Sequence, residues 1–321
     1  MSDAVVIGVD LGGTNCRGAL ATSSGELLGA RHMPTRGDGD RDAFLGRFLA
    51  FCRQLMDEAG QRGLRVEGLG LGAPGIVTPD GRICASPNLK LLEDFSLAEF
   101  LHDRLQVPTK VVNDASAVGL GEAAFGAGRG YASFLVVTLG TGVGGALFLD
   151  GHLWQGIDGS AGEVGHVAVE SMGRPCRCGS HGCLEQYASS GGVALNYLEE
   201  CSGSAGNADS ASCKNSDLSS AELARLARDG NRAATEAFHR AGRYLGQAVA
   251  GIVNLLNLEA VILTGGVSAS YDLLEEALRD ELDKRAFAVN ARRVRLVQGL
   301  LGDSAGILGA ASLFFAFRDL V

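Results

Sequence analysis

Apolar positions along the chain alternate between short continuous runs and longer stretches with helical spacing. Residues 5–10 form an apolar run that ends in Leu-Gly-Gly-Thr, and residues 17–22 read as its return strand. Phe44, Phe48, Leu49, Cys52, Leu55 and Met56 recur three and four apart, which predicts a helix over 43–62. A strand over 66–71 closes on Gly72-Ala73-Pro74-Gly75. A short helix over 97–105 and a strand over 109–113 follow, then a helix over 115–125. The pattern then restarts: a strand over 134–138 runs into Leu139-Gly140-Thr141-Gly142. A long helix over 233–256, a strand over 260–264 ending at Gly265-Gly266, and helices over 272–285 and 304–317 complete the chain.

The restart carries information about architecture. VVIGVDLGGTNCRGAL and FLVVTLGTGVGGALFL share one order: apolar strand, small polar residue, Leu, glycine turn, second apolar strand. A unit of this kind opening each half predicts two related α/β domains with a cleft between them. The boundaries expected are 1–115 for the first domain and 116–303 for the second, with the helix of residues 304–321 packing back on the first. Residues 201–220, rich in Ser, Asn, Gly and Ala, read as an exposed insertion.

Composition narrows the function classes. Hydrophobic residues are 46% and charged residues 20% of 321, enough apolar surface for two cores. The 47 glycines are about twice the usual share of ~7%, without a collagen period. Such glycines belong to tight turns and to places where backbone approaches a ligand. A net charge of −9 argues against nucleic acid and anionic lipid as partners. The apolar run of residues 134–149 is broken by glycines and falls short of the roughly 20 residues of a membrane span. The start, MSDAVVIGVD, has no cationic region or cleavage site, so the expected location is the cytoplasm. Eight cysteines in such a chain point to metal or catalysis rather than a disulfide framework.

Five constellations carry candidate chemistry. In the turn after Asp10, Gly12 and Gly13 free their N–H groups to face an anion, and Thr14 and Asn15 add polar side chains. A β-hairpin needs the same turn. The second turn at Gly140, Thr141 and Gly142 favours the phosphate reading, since two such turns facing across a cleft would hold a triphosphate. Asn113-Asp114 joins a strand end to a helix start: Asp114 suits an N-cap, and equally a general base at the carboxyl end of a strand. His166 with Cys176, Cys178 and Cys183 makes a Cys₃His set that matches tetrahedral, structural Zn²⁺, with Gly179 and Gly182 permitting sharp turns. Glu163 and Glu185 flank that set, and a zinc loop would fix both carboxylates for a polyol. His166 serves both roles only if one ring nitrogen takes the metal and the other meets the ligand. Gly265-Gly266 before a helix lets a ribose or flat ring approach the backbone. Cys16, Cys52 and Cys84 fall in apolar stretches and are expected in the core; Cys201 and Cys213 have no assignment.

Together these residues resemble the ROK family (repressor, open reading frame, kinase) of sugar kinases, on the two-domain, actin-like (ribonuclease H-like) α/β fold. The matching stretches are DLGGTNCRGAL, GAPGIV, NDASAVGLGE, LGTGVGGALFLDG, GEVGH, CRCGSHGCLEQYAS, ILTGGVS and GDSAGILGAA, in family order across nearly the whole chain. The resemblance implies ATP-dependent phosphorylation of a hexose, normally at C6, with glucose as the expected sugar. Asp114 corresponds to the catalytic base. Asn113, Glu163, His166 and Glu185 match sugar-binding positions, with Gly75 and Asn88 in the same pocket. Asp10 matches the carboxylate near Mg²⁺. Gly12, Gly13, Thr14, Gly140, Thr141 and Gly142 match the phosphate turns, and Gly265 and Gly266 the adenosine motif. Family members are often homodimers.

One stretch departs from the family. Where glucokinases follow Asn-Leu of the sugar loop with Pro-Gly-Trp, Asn88-Leu89 here leads into Lys90-Leu91-Leu92-Glu93-Asp94. Fructose, mannose and N-acetylhexosamines therefore remain alternatives to glucose. The family's repressors carry a winged helix-turn-helix before the first phosphate motif, for which residues 1–10 leave no room. An inactive sugar sensor would be expected to lack Asp114 or a glycine turn, and both are present.

Overall fold

The first run is continuously apolar and buried on both faces, as suits the centre of a sheet. In the computed structural model, which describes residues 4–35, 39–203 and 218–317, strands β1 (Ala4–Leu11) and β2 (Asn15–Ala21) form a hairpin extended by β3 (Leu27–Pro34). Helix α1 (Arg41–Gln61) leads to β4 (Arg65–Ala73), which pairs in parallel with β1. A small antiparallel sheet of β5 (Ile76–Val77), β6 (Arg82–Ala85) and β7 (Phe95–Ser96) comes next. Then follow α2 (Leu97–Leu105), β8 (Thr109–Asn113) parallel to β4, and α3 (Asp114–Phe125). The resulting order is β3-β2-β1-β4-β8.

The second half repeats this plan, as the sequence restart predicts. Strands β9 (Phe134–Leu139), β10 (Val143–Leu149) and β11 (His152–Leu153) are followed by helices α4 (Glu185–Ala188), α5 (Ser190–Gly203), α6 (Ser220–Arg228) and α7 (Arg232–Leu256). Strand β12 (Ala260–Thr264), helices α8 (Tyr271–Arg285) and α9 (Ala288–Arg293), strand β13 (Arg295–Gln298) and helix α10 (Ala305–Ser312) complete the described chain. The order β11-β10-β9-β12-β13 mirrors the first sheet, with β9, β12 and β13 parallel. Two compact units result, one of Met1–Gly130, Ala146–Gly162 and Leu300–Val321, the other of Tyr131–Gly145 and Glu163–Gly299. Helix α3 belongs to the first unit, so the unit break falls one helix later in the chain than the expected boundary.

In the first unit the two sheet faces differ sharply. Val5, Ile7, Val9 and Leu11 pack with Phe44, Phe48 and Leu55 of α1 and Leu97 and Leu101 of α2 in the main core. The opposite face is lined by glycine. A Cβ added at Gly8 would stand 2.2 Å from the carbonyl oxygen of Ile307, and one at Gly70 would stand 1.9 Å from that of Ala310. Helix α10 therefore lies directly on the backbone of β1 and β4.

Two expectations need correction. The terminal helix stops at Ser312 rather than running to residue 317: Leu313 and Phe314 donate to carbonyls three residues back, and the one carbonyl of Ser312 accepts from Phe315, Ala316 and Phe317, so the regular ladder gives way to turns. Cys84 is exposed: it sits on the outward-facing side of short strand β6, while Cys16 and Cys52 are buried as expected. Most of the 201–220 segment, residues 204–217 including Cys213, lies outside the described residues. No helix among the described residues is long and apolar enough to cross a membrane.

The glycine-lined face generates an opposed pair of expectations. Gly70→Ala forces β4 from α10 and should destabilise the protein by about 1–3 kcal/mol or more. Gly46→Ala, exposed in the middle of α1 with nothing near the added methyl, should stabilise it by about 0.5–1 kcal/mol. Thermal denaturation of both variants checks the contrast; equal midpoints would contradict the close approach.

Candidate active site

The predicted site residues divide between the two units. In the first, Asp10 and Asp114 stand on one sheet face at the carboxyl ends of parallel strands, where α/β sheets expose ligand-binding groups. Asp10 of β1 is in register with Gly72 of β4, and Gly72 with Val112 of β8. Asp114 follows β8 directly, and its Cα is only 3.5 Å from where a Gly72 Cβ would be. Strand β4 alone therefore lies between β1, which carries Asp10, and β8, which leads into Asp114. Burial pushes the Asp10 carboxyl above the ordinary carboxylate range; Arg17 opposes the shift and Asp303 adds to it. Arg17 pairs with Asp303 at 2.8 Å. The first turn of α10 abuts Asp10, since a Cβ at Gly306 would meet its Cγ at 2.9 Å.

Asn113, not Asp114, caps α3. Its Oδ1 accepts the N–H of Ser116 at 3.1 Å, and its Nδ2 donates to the carbonyl oxygen of Gly75 at 2.9 Å. The helix thus begins at Asp114, one residue earlier than expected. Asp114 Oδ1 accepts the N–H of Ala115 at 2.8 Å. Capping accordingly does not account for an aspartate here. Gly75 has φ +106°, and a side chain there would collide with the Ala85 carbonyl at 2.0 Å.

The first glycine turn is closed by Gly12 N–H donating to Asn15 O at 2.9 Å, with Thr14 and Asn15 exposed. Thr35 braces it from β3's end: its hydroxyl donates to Gly12 O at 2.9 Å and its N–H to Thr14 O at 2.9 Å. Asn88 packs against this turn, 3.1 Å from the Cβ position of Gly13. The departing sequence after Asn88 forms a 3₁₀ turn over Lys90–Leu92, with Leu89 and Leu92 buried. Arg41 holds it from α1, its guanidinium donating to Leu91 O at 2.5 Å and Glu93 O at 3.0 Å. Thr35 and Arg41 were not foreseen. Nothing near either residue in sequence signals a contact formed across such separations.

In the second unit, Gly140 N–H donates to Gly142 O at 2.9 Å, leaving Thr141 exposed at the tip of the turn. Glu185, at the start of α4, turns its carboxylate onto this turn and accepts the N–H of Val143 at 3.0 Å. Gly265, with φ +92°, brings the end of β12 against the backbone of Leu139, so the Gly265-Gly266 junction and the second turn are neighbours. Gly266 has right-handed helical backbone, and a Cβ there would meet nothing within 4 Å.

The four metal candidates do converge. The donor atoms of His166, Cys176, Cys178 and Cys183 all lie within 4.8 Å of one another. Cys178 Sγ and Cys183 Sγ are 3.6 Å apart, and Cys176 Sγ is 3.7 Å from His166 Nδ1. Zn–S bonds of about 2.3 Å in a tetrahedron give edges of about 3.5–3.8 Å, so the set suits such an ion. Burial pushes the Cys183 thiol up to about 12, whereas a hydrogen bond from the Ser180 N–H holds Cys178 below the usual thiol value. Gly179 and Gly182 have φ +92° and +69°, the turns that the sequence requires. With Nδ1 facing the thiol, His166 directs Nε2 toward Glu163, 3.8 Å from its carboxylate. The loop is pinned from beneath: Arg174 bonds Glu199 and stacks over Tyr187, and Tyr244 donates to Glu170 at 3.0 Å.

Known proteins resemble the chain along nearly its whole length. The model of the ROK family matches residues 6–316. The chain is 33% identical to a glucokinase of Halalkalibacterium halodurans, over 98% of this chain and 96% of that one. It is 27% identical to the xylose repressor of Bacillus subtilis, over 98% of this chain and 78% of the repressor. The crystal structure of a ROK family glucokinase from Streptomyces griseus in complex with glucose and AMPPNP superposes with a TM-score of 0.79. That pair is 28% identical, with 96% of this chain and 98% of the other covered. The fold is the expected α/β, actin-like one.

The donor cluster makes its own prediction. Purified protein should carry about one divalent metal ion per chain. Cys178→Ser should lose it and melt at lower temperature, because metal binding energy is folding energy. Elemental analysis checks this, and unchanged metal content in the variant would exclude the four residues as ligands.

Proposed function

The chain belongs to the ROK family, and from that premise we propose that this ATP-dependent sugar kinase phosphorylates the 6-hydroxyl of glucose, with Asp114 as general base. The observation that carries the reading is the placement of Asp114 and Asp10 on one sheet face, two strands apart, beside the glycine turn. A sugar hydroxyl holds its proton tightly. A carboxylate within hydrogen-bond reach contributes about 10²–10⁴-fold as attack proceeds, or about 2.7–5.5 kcal/mol. Its own helix-start backbone holds Asp114 for that task, since Oδ1 is bound by Ala115 N–H.

The remaining residues take positions consistent with binding and orientation. Asn113 keeps one amide hydrogen beyond its bonds to Gly75 and Ser116, and Asn88 is exposed beside the turn, so both retain polar atoms for sugar hydroxyls. Glu163 and the Nε2 of His166 form a second pair suited to adjacent hydroxyls, such as those at C1 and C2 of an aldohexose. The turns at Gly12, Gly13, Thr14 and Asn15 and at Gly140, Thr141 and Gly142 suit phosphate oxygens through N–H groups other than those of Gly12 and Gly140, which close the turns. Open space at Gly266 suits the adenosine. Mg²⁺, which Asp10 would hold, neutralises charge on the transferred group. Zn²⁺ on His166, Cys176, Cys178 and Cys183 would be structural, since four protein donors leave no open position. A cytoplasmic homodimer completes the proposal.

Similarity to a xylose repressor makes sugar sensing without transfer the second reading. The set of Asp114, Asp10 and both glycine turns favours the kinase, as does the −9 net charge, which opposes DNA.

Replacing the base tests the proposal. Asp114→Asn should lower kcat at least about 100-fold while glucose affinity stays near wild type. Steady-state kinetics with calorimetric sugar binding checks this; a loss under about tenfold would remove Asp114 from the role.

A further inference from the structure

Helix α3 carries a second carboxylate that the phosphoryl-transfer reading leaves unused. Glu122 lies eight residues after Asp114, about 12 Å along the helix axis, and is fully buried. Its partners are backbone N–H groups from two separate segments. Oε2 accepts from Ala127 at 2.8 Å and from Leu300 at 3.2 Å, and Oε1 accepts from Leu301 at 3.1 Å. Ala127 is where the chain leaves α3. Leu300 and Leu301 lead, through the 3₁₀ turn Gly302–Ser304, into α10.

The contact between α3 and α10 explains why such a tie matters. The two helices meet backbone to backbone. A Cβ at Gly309 would stand 1.6 Å from Ala117 O, and one at Gly121 would stand 2.2 Å from Ala305 O. Surfaces made of glycine and alanine have shallow ridges, and dispersion between them is strong but resists sliding weakly. Hydrogen bonds to a carboxylate are directional and resist it. What rides on the register is the site itself, since α3 begins with Asp114 and the first turn of α10 rests on Asp10.

We propose that Glu122 is a positioning residue: it locks the register of α10 on α3 and thereby sets Asp10 relative to Asp114. The inference rests on the reading of Asp114 as base. A displacement of about 1 Å at reacting groups costs on the order of 100-fold in rate, which sets the scale of the effect.

The test uses the full chain. Glu122→Gln keeps the side-chain shape but turns one acceptor into a donor that faces backbone donors. Its kcat should fall roughly 10- to 100-fold, with the glucose KM within about twofold of wild type, well below the melting temperature. Amide exchange at Leu300 and Leu301 should accelerate. In an Asp114→Asn background the same change should cost under about twofold, because both act on one step. Leu55→Ala, buried against β2 and remote from α3, supplies a destabilised control that keeps its kcat. If Glu122→Gln does not fold, Glu122→Asp is read the same way. Wild-type kcat in the Glu122 variant, an equal kcat loss in Leu55→Ala, or a full additional loss in the double variant would each overturn the clamp while leaving Asp114 untouched. An active Asp114→Asn variant would overturn both readings, so the two failures are distinguishable.

Discussion

The close approach of α10 and α3 to the first sheet is the constraint from which the rest of that unit follows. Gly68, Gly70 and Gly72 occupy alternate residues of β4, so over this stretch every position on one face lacks a side chain. Added Cβ atoms there would strike Phe314, Ala310 and Ala117 respectively. Removing that layer of side chains lets helix backbone rest on strand backbone, and it clears the strand ends where Asp10 and Asp114 emerge. The apolar face opposite, built from β1, α1 and α2, supplies the burial that makes such a bare face tolerable. Stability and site geometry in this unit thus sit on opposite sides of one sheet.

The second unit solves a different problem. Its candidate ligand groups lie on a long irregular segment, and loops do not hold side chains rigidly by themselves. Here three thiols and one imidazole converge, so that a metal bound among them would fix the loop, while Arg174, Glu199, Tyr187 and Tyr244 anchor it to the helices below. The orientation of His166 then divides its two nitrogens between the thiol cluster and Glu163.

Much of this was legible in the sequence because the relevant signals are local. The two strand–turn–strand openings, the Cys₃His spacing and the helical periodicity of α1, α7 and α8 each lie within a few dozen residues, and each element forms within a residue or two of its expected bounds. What stayed hidden depends on distant partners. The capping of α3 passes to Asn113 because Gly75 O lies beside its amide. The loop after Asn88 takes its shape from Arg41, about fifty residues earlier, rather than from its own residues. Cys84 looked like core because its neighbours are apolar, yet a two-sided short strand turned it outward. The alternate glycines of β4 were present as a pattern, but their meaning required knowing that a helix returns from the far end of the chain.

The central claim, that these groups transfer phosphate from ATP to glucose, is tested most directly by a coupled assay of ATP consumption. Glucose, mannose, fructose, N-acetylglucosamine and N-acetylmannosamine would be compared with Mg²⁺ and Zn²⁺ present. Glucose is expected to exceed every other sugar in kcat/KM by about 100-fold. An N-acetylhexosamine in first place would contradict the choice of sugar, and background rates with all five would contradict the kinase itself.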